Sequence, residues 1–209
     1  MKNLIKFLVF ILLFGCGVIL INENNYRNLS DTDKIIIMPF DPEIVSKNEN
    51  NKQFQLYEIN ANDIMNYTKM HNYTWVHLWR PFCPNQNCQN IYYFLDVVDS
   101  INIYDIEFLL VSESYDLKLI ENIVINSAYD KPIFVLQDSH YGHKINSNRL
   151  KFIKDFETEL SYSSHYGFGD FLFKDSTLIY MGDDLNKDKI ESLFDSFQTK
   201  LPDKQTLMK

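Results

Sequence analysis

The stretch from Tyr73 to Asp99 constrains the chain most. It begins with a strand-like run, Tyr73-Thr74-Trp75-Val76-His77-Leu78-Trp79. Arg80-Pro81-Phe82-Cys83-Pro84-Asn85-Gln86-Asn87-Cys88 follows, and then a helix-like run through Val98. Two of the three cysteines therefore fall where a strand feeds a helix. Unpaired backbone N–H groups and the helix dipole favour negative charge at a helix start, so a thiol there is readily ionised. The pair reads as a redox-active dithiol, with a structural staple as the alternative. A disulfide closing so short a loop restrains little of the unfolded chain, which weighs against the staple.

Trp79-Arg80-Pro81-Phe82-Cys83 resembles the Trp-x-Pro-aromatic-Cys lead-in of the thioredoxin-like thiol oxidoreductases, especially the extracytoplasmic, membrane-tethered group related to cytochrome c maturation proteins. That family has Cys-x-x-Cys, whereas four residues separate Cys83 from Cys88. Five positions along an ideal helix turn about 500°, leaving the second thiol roughly 140° from the first, so a bond between them needs a late or opened first turn. Pro84 and the Asn-Gln-Asn run suit a late start. The resemblance implies that Cys83 attacks and Cys88 resolves. Arg80 would stabilise the thiolate or lie solvated over the aromatic shell, Trp79 and Phe82 would form an apolar collar or ordinary core, and Pro81 would stiffen the turn. It also implies a cis-proline before the C-terminal hairpin, yet the matching region, Tyr166-Gly167-Phe168-Gly169-Asp170, has none. No cofactor is implied.

Two rival chemistries share the cysteines. A peroxiredoxin with cysteines five apart would need a Ser or Thr where Arg80 stands and a proline where Val76 stands. A copper chaperone resembling the Sco proteins would recruit a loop histidine such as His140, His143 or His165, since thiolate and imidazole suit copper, but its cysteine spacing differs by one. A thioredoxin-like domain kept only for binding is the non-enzymatic alternative.

The first 21 residues set the compartment. Lys2 and Lys6 precede an apolar run from Phe7 to Ile21, the pattern of an export signal or anchor. Leu13-Phe14-Gly15-Cys16 resembles a bacterial lipobox, which would make Cys16 a lipidation site; the apolar Val18 to Ile21 fits an uncleaved anchor instead. Both place residues 22 onward outside the cytoplasm, in a bacterial cell envelope where disulfides persist. Client or electron-donor protein thiols are the implied partners, beside the membrane. Lys2 and Lys6 are two of 20 basic residues set against 28 acidic ones, so the chain beyond the run carries −10. Such a surface gives no footing for nucleic acid.

The polar stretch from Asn22 to Gln53 reads as a tether whose one apolar cluster, Ile35 to Met38, either pairs with the domain edge or stays loose. From Phe54 onward periodicity predicts, in order, a strand at 54–59, a short helix capped by Asn60 or Asn62, the Tyr73–Trp79 strand, and a helix after Cys88. A buried strand follows at 106–111, then a helix over 115–126, a strand at 131–136 and a helix over 147–160. A hairpin spans 170–181, and a closing helix runs from 187 to about 201. Strands alternating with helices predict a three-layer α/β sandwich with a mostly parallel sheet, the order the resemblance also implies, over residues 54 to 209. The 131–160 stretch matches an insertion common in the extracytoplasmic members.

Overall fold

A computed structural model describes residues 22–43, 54–82, 91–101, 104–127, 129–156, 169–183 and 185–198. Cys16, Cys83, Pro84, Cys88 and His165, with the site roles assigned to them, lie outside these residues.

Among the described residues seven strands form one sheet. In chain order they are β1 (Ile37–Pro39), β2 (Leu56–Ile59), β3 (Tyr73–Trp79), β4 (Ile106–Ser112), β5 (Ile133–Leu136), β6 (Asp170–Lys174) and β7 (Thr177–Gly182), and across the sheet they run β1-β2-β5-β4-β3-β6-β7. The first five run parallel to one another, while β6 pairs antiparallel with β3 and forms an antiparallel hairpin with β7. Among the described residues seven α-helices accompany them: α1 (Asp31–Lys34), α2 (Ala61–Thr68), α3 (Ile91–Ser100), α4 (Leu117–Ser127), α5 (Asp138–Tyr141), α6 (Ile145–Asp155) and α7 (Lys187–Gln198).

Alternation along β3 divides the core. Trp75 and Trp79 face one layer, with Phe94 of α3, Ile120 of α4 and Phe194 of α7. Val76 and Leu78 face the other, with Ile64 of α2 and Phe152 of α6. Because both faces are covered, β4 and β5 are near-continuous apolar runs, as a buried parallel strand must be. The architecture is the three-layer α/β sandwich that the periodicity predicts.

Local chemistry sets the helix ends. Asn60 caps α2: its side chain accepts from the backbone of Asn62 and Asp63, while the Asp63 carboxylate reaches back to the Asn60 N–H at 3.0 Å. Helix α6 starts at Ile145 and ends at Asp155, its buried side carrying Phe152 and Ile153 while Leu150 and Phe156 are half-buried.

The tether reading needs correction for residues 22–43. Asn24 is only 1% exposed, and the Ile35–Met38 cluster takes the paired option, with β1 adding parallel to β2. The segment docks through backbone bonds, the Asn24 amide and apolar side chains such as Tyr26, Ile37 and Phe40 that pack against the core. Among the described residues no helix is long and apolar enough to cross a membrane; residues 1–21 are not among them.

Candidate functional site

In open α/β sheets, sites lie beyond the carboxyl ends of strands, where neighbouring connections diverge. Strand β3 is such a place, with parallel β4 on one side and antiparallel β6 on the other. Its carboxyl end carries the Trp79 to Phe82 lead-in. Trp79 is fully buried and Pro81 is buried, while Arg80 and Phe82 are half-buried. The Trp79 indole N–H finds no acceptor among the described residues.

Arg80 has a partner that neither sequence reading included. Its Nε donates to Glu113 Oε2 at 2.5 Å and its Nη2 to Asn146 Oδ1 at 3.0 Å. Glu113 follows β4 immediately and is 1% exposed. From α6, Arg149 donates to both carboxylate oxygens, Nε to Oε1 and Nη2 to Oε2, each at 2.7 Å. Burial works against the Arg149 charge, but the Glu113 carboxylate outweighs it and holds the guanidinium pKa above its ordinary value. One carboxylate thus ties together the ends of β3 and β4 and helix α6. Two guanidinium groups share this carboxylate beside the start of the Cys83 segment, with Asp183 and Asp170 also in the field of Arg149.

A second polar group lies on the β6 side. Asp170, 3% exposed, accepts from Trp75 Nε1 at 3.0 Å and faces His77 Nδ1 at 2.7 Å, and the backbone N–H of Leu185 approaches its other oxygen at 3.4 Å. The His77 ring packs on Phe94 of α3, with centroids 3.9 Å apart. Gly169, in the region that lacks a proline, accepts from Leu78 N at 2.7 Å and donates to Asp183 Oδ1 at 2.8 Å. Desolvation raises the Asp183 pKa above the ordinary carboxylate value, against the pull of the Gly169 N–H and Arg149.

Sequence reasoning singled out Arg80 but missed Glu113, Arg149, His77 and Asp170. His77 and Asp170 could have been found, because a histidine inside an apolar strand and an aspartate opening another each need a buried partner. The histidines weighed for copper lie elsewhere: His140 is exposed on α5 with Nε2 3.1 Å from Asp155 Oδ2, and His143 accepts from Asn24 N through its carbonyl. Among the described residues no cluster of three or more His, Cys, Asp or Glu is arranged to hold a metal ion.

No family model matches the chain, and no curated protein does. Among solved structures it is similar to StoA from Bacillus subtilis, at 12% identity and a TM-score of 0.38, over 59% of this chain and 83% of that one. The chain's own strand order carries the fold: β3 lies between parallel β4 and antiparallel β6, with β7 outermost and α7 after it. By fold, the chain is a three-layer α/β sandwich, and its strand order is consistent with the thioredoxin-like arrangement.

Proposed function

We propose that the chain is an extracytoplasmic thiol-disulfide oxidoreductase working through Cys83 and Cys88, its folded domain held at the membrane by residues 1–21. One observation carries this reading. The strand that leads to Cys83 is internal to the sheet, flanked on both sides, and ends among the Arg80–Glu113–Arg149 cluster; α3 opens at Ile91, shortly after Cys88. By sequence position the thiols fall between that strand end and that helix, the setting that favours a thiolate.

In the reducing direction the Cys83 thiolate attacks one sulfur of a client disulfide. A mixed disulfide forms and the client's other sulfur leaves as thiolate. The Cys88 thiolate then attacks the Cys83 sulfur, releasing the second client thiolate and leaving a Cys83–Cys88 disulfide. Two electrons have passed to the client, and a donor protein's dithiol returns them by the same exchange. The oxidising direction is the reverse sequence.

The test is exchange with a small aromatic disulfide by the full chain in detergent. Cys83→Ser should abolish it, and Cys88→Ser should accumulate the mixed disulfide. If the wild type neither exchanges nor has a reduction potential above about −300 mV, the pair is a brace and the domain a binding module. Stoichiometric tight copper binding would instead support the chaperone.

A further inference from the structure

Residues 22–24 lie in a cleft whose walls come from separate places in the fold. Asn22 O accepts from Ile145 N at 3.0 Å, and Glu23 pairs with Lys144 in an antiparallel bridge. Asn24 donates through its N–H to His143 O at 2.8 Å and accepts through its carbonyl from Tyr115 N at 2.7 Å. Tyr115 lies just past β4 and residues 143–145 lead into α6, so the segment is bonded along its backbone on both sides. Asn22 and Glu23 are exposed, while Asn24 is buried. The Asn24 amide donates to Asp138 Oδ1, just past β5, at 2.9 Å and to Gly142 O at 3.1 Å, and its oxygen accepts from Tyr26 N at 3.2 Å.

The walls of this cleft are bonded to one another without the segment. The Tyr115 hydroxyl accepts from Asp138 N at 3.1 Å and donates to Glu58 Oε1 of β2 at 2.7 Å. Asp138 O accepts from Gly142 N at 2.7 Å, and buried Asn148 of α6 donates to Gly142 O. A cleft braced in this way keeps its shape when emptied. It then presents two backbone donors, Tyr115 N and Ile145 N, beside three acceptors, His143 O, Gly142 O and Asp138 Oδ1. Such a pattern holds an extended peptide by its main chain and selects it by one side chain. We propose that this cleft is a peptide-binding site for an extended, asparagine-bearing segment of a partner protein, and that residues 22–24 occupy it in cis until such a segment displaces them. An aspartate in the place of Asn24 would set a carboxylate against Asp138 and the Gly142 carbonyl, acceptor facing acceptor, so the site selects the amide over the acid. Residues 22–24 compete strongly, because a segment joined to its own site acts at an effective concentration of about 1 mM. The inference goes beyond the redox reading and needs neither cysteine of it.

Two measurements on the full chain in detergent test this. Native-state amide exchange separates the segment from the walls. The N–H groups of Asn24, Tyr115 and Ile145, which bond across the cleft, should exchange about a hundredfold faster than those of Asp138 and Asn148, which bond within the walls. Equal rates would mean that segment and walls open only as one unit, and would overturn the inference. The second measurement is the fluorescence anisotropy of a fluorescein-labelled peptide with the sequence of residues 22–27, Asn-Glu-Asn-Asn-Tyr-Arg. Asn24→Asp, which frees the cleft, should bind it about tenfold or more tightly than the wild type, whose own segment competes. Adding Asp138→Ala should weaken that binding about tenfold or more, and a peptide with aspartate as its third residue should not compete. Equal binding by the wild type and Asn24→Asp overturns occupation in cis, and a folded Asn24→Asp chain that does not bind overturns the site itself. An Asn24→Asp chain that loses its far-ultraviolet dichroism also overturns the inference, since the walls would then depend on the segment.

Discussion

Across the antiparallel β3–β6 pair, His77 Nδ1 lies 2.7 Å from Asp170 Oδ1, at a point where the two residues are direct register partners. The Trp75 indole can only donate, so Asp170 is the acceptor for it, and the His77 Nδ1–H completes the same oxygen. One buried carboxylate therefore joins the end of β3, from which the Cys83 segment departs, to the start of β6, where the hairpin begins. Asp170→Ala should cost about 3 kcal/mol, because the indole N–H is left buried without an acceptor and two bonds to a charged group are lost. Asp170→Asn keeps one oxygen for Trp75 and His77 but turns an amide toward the Leu185 N–H, and should cost about half as much. Urea unfolding of both variants checks this; a loss under 1 kcal/mol for the alanine variant would show that the pair does not hold the strands together.

Glu113 is the other buried carboxylate, and its removal should be felt as much. Glu113→Ala takes from Arg149, nearly buried, the carboxylate that it hydrogen-bonds, leaving it only the field of Asp183 and Asp170, and should destabilise the protein by about 3 kcal/mol. Arg80, whose side chain is 27% exposed, can return to water and adds little to that loss. Replacing the buried pair together, Glu113→Leu with Arg149→Met, should recover more than half of the stability, since the desolvation cost disappears with the charges. Thermal or urea unfolding of the single and double variants reads the difference directly. A double variant no better than Glu113→Ala would mean that the ion pair supplies net stability.

The layers were legible because burial imposes periodicity. The continuous Phe108–Val111 block marks a strand buried on both faces, and the 3.6-residue spacing of Ile91, Phe94 and Val98 states which side of α3 is inside. The alternation over Phe54–Ile59 suggests a half-buried strand, whereas β2 buries Leu56 on one face and Tyr57 and Ile59 on the other. Strand order was less so. Nothing in Ile133–Leu136 says that β5 wedges between β2 and β4. The site's polar framework was not legible at all, because Arg80 and Arg149 reach Glu113 across 33 and 36 residues of sequence. Asn24 escaped for a different reason. Its contacts are mostly backbone bonds and amide bonds to backbone, which leave no hydrophobic trace in a polar stretch.

The glycines at the two sides of the site should respond oppositely to alanine. Gly142 has φ +90° and ψ −165°, a region open essentially to glycine alone, and its carbonyl accepts from the amides of both Asn24 and Asn148. Gly142→Ala should therefore cost about 1–3 kcal/mol. Gly169 has no such conformation, and a Cβ there would meet Leu78 O at 3.5 Å and His77 Cε1 at 3.8 Å, which are ordinary contacts. Gly169→Ala should be neutral or stabilise by about 0.4–1 kcal/mol through the unfolded state. Chemical denaturation of the two variants side by side checks the sign of each.

Asp63 gives the fold a pH dependence whose sign is fixed by burial. Desolvation raises its pKa, and the Asn60 N–H and the field of His140 pull the other way without cancelling the rise. The folded state therefore holds this proton more tightly than the unfolded chain, whose aspartates titrate near about 3.9. Its contribution is fully present below that value and is lost as pH rises through the higher, folded value. Asp63→Asn removes the titration while its side-chain oxygen can still accept from Asn60 N at 3.0 Å, so the α2 cap survives. The wild type should be at its most stable relative to this variant near pH 3 and should lose ground steadily toward pH 6. Urea midpoints measured across that interval decide it: a wild type that gains on the variant with rising pH would mean the cap's hydrogen bond and the helix dipole outweigh burial at this carboxylate.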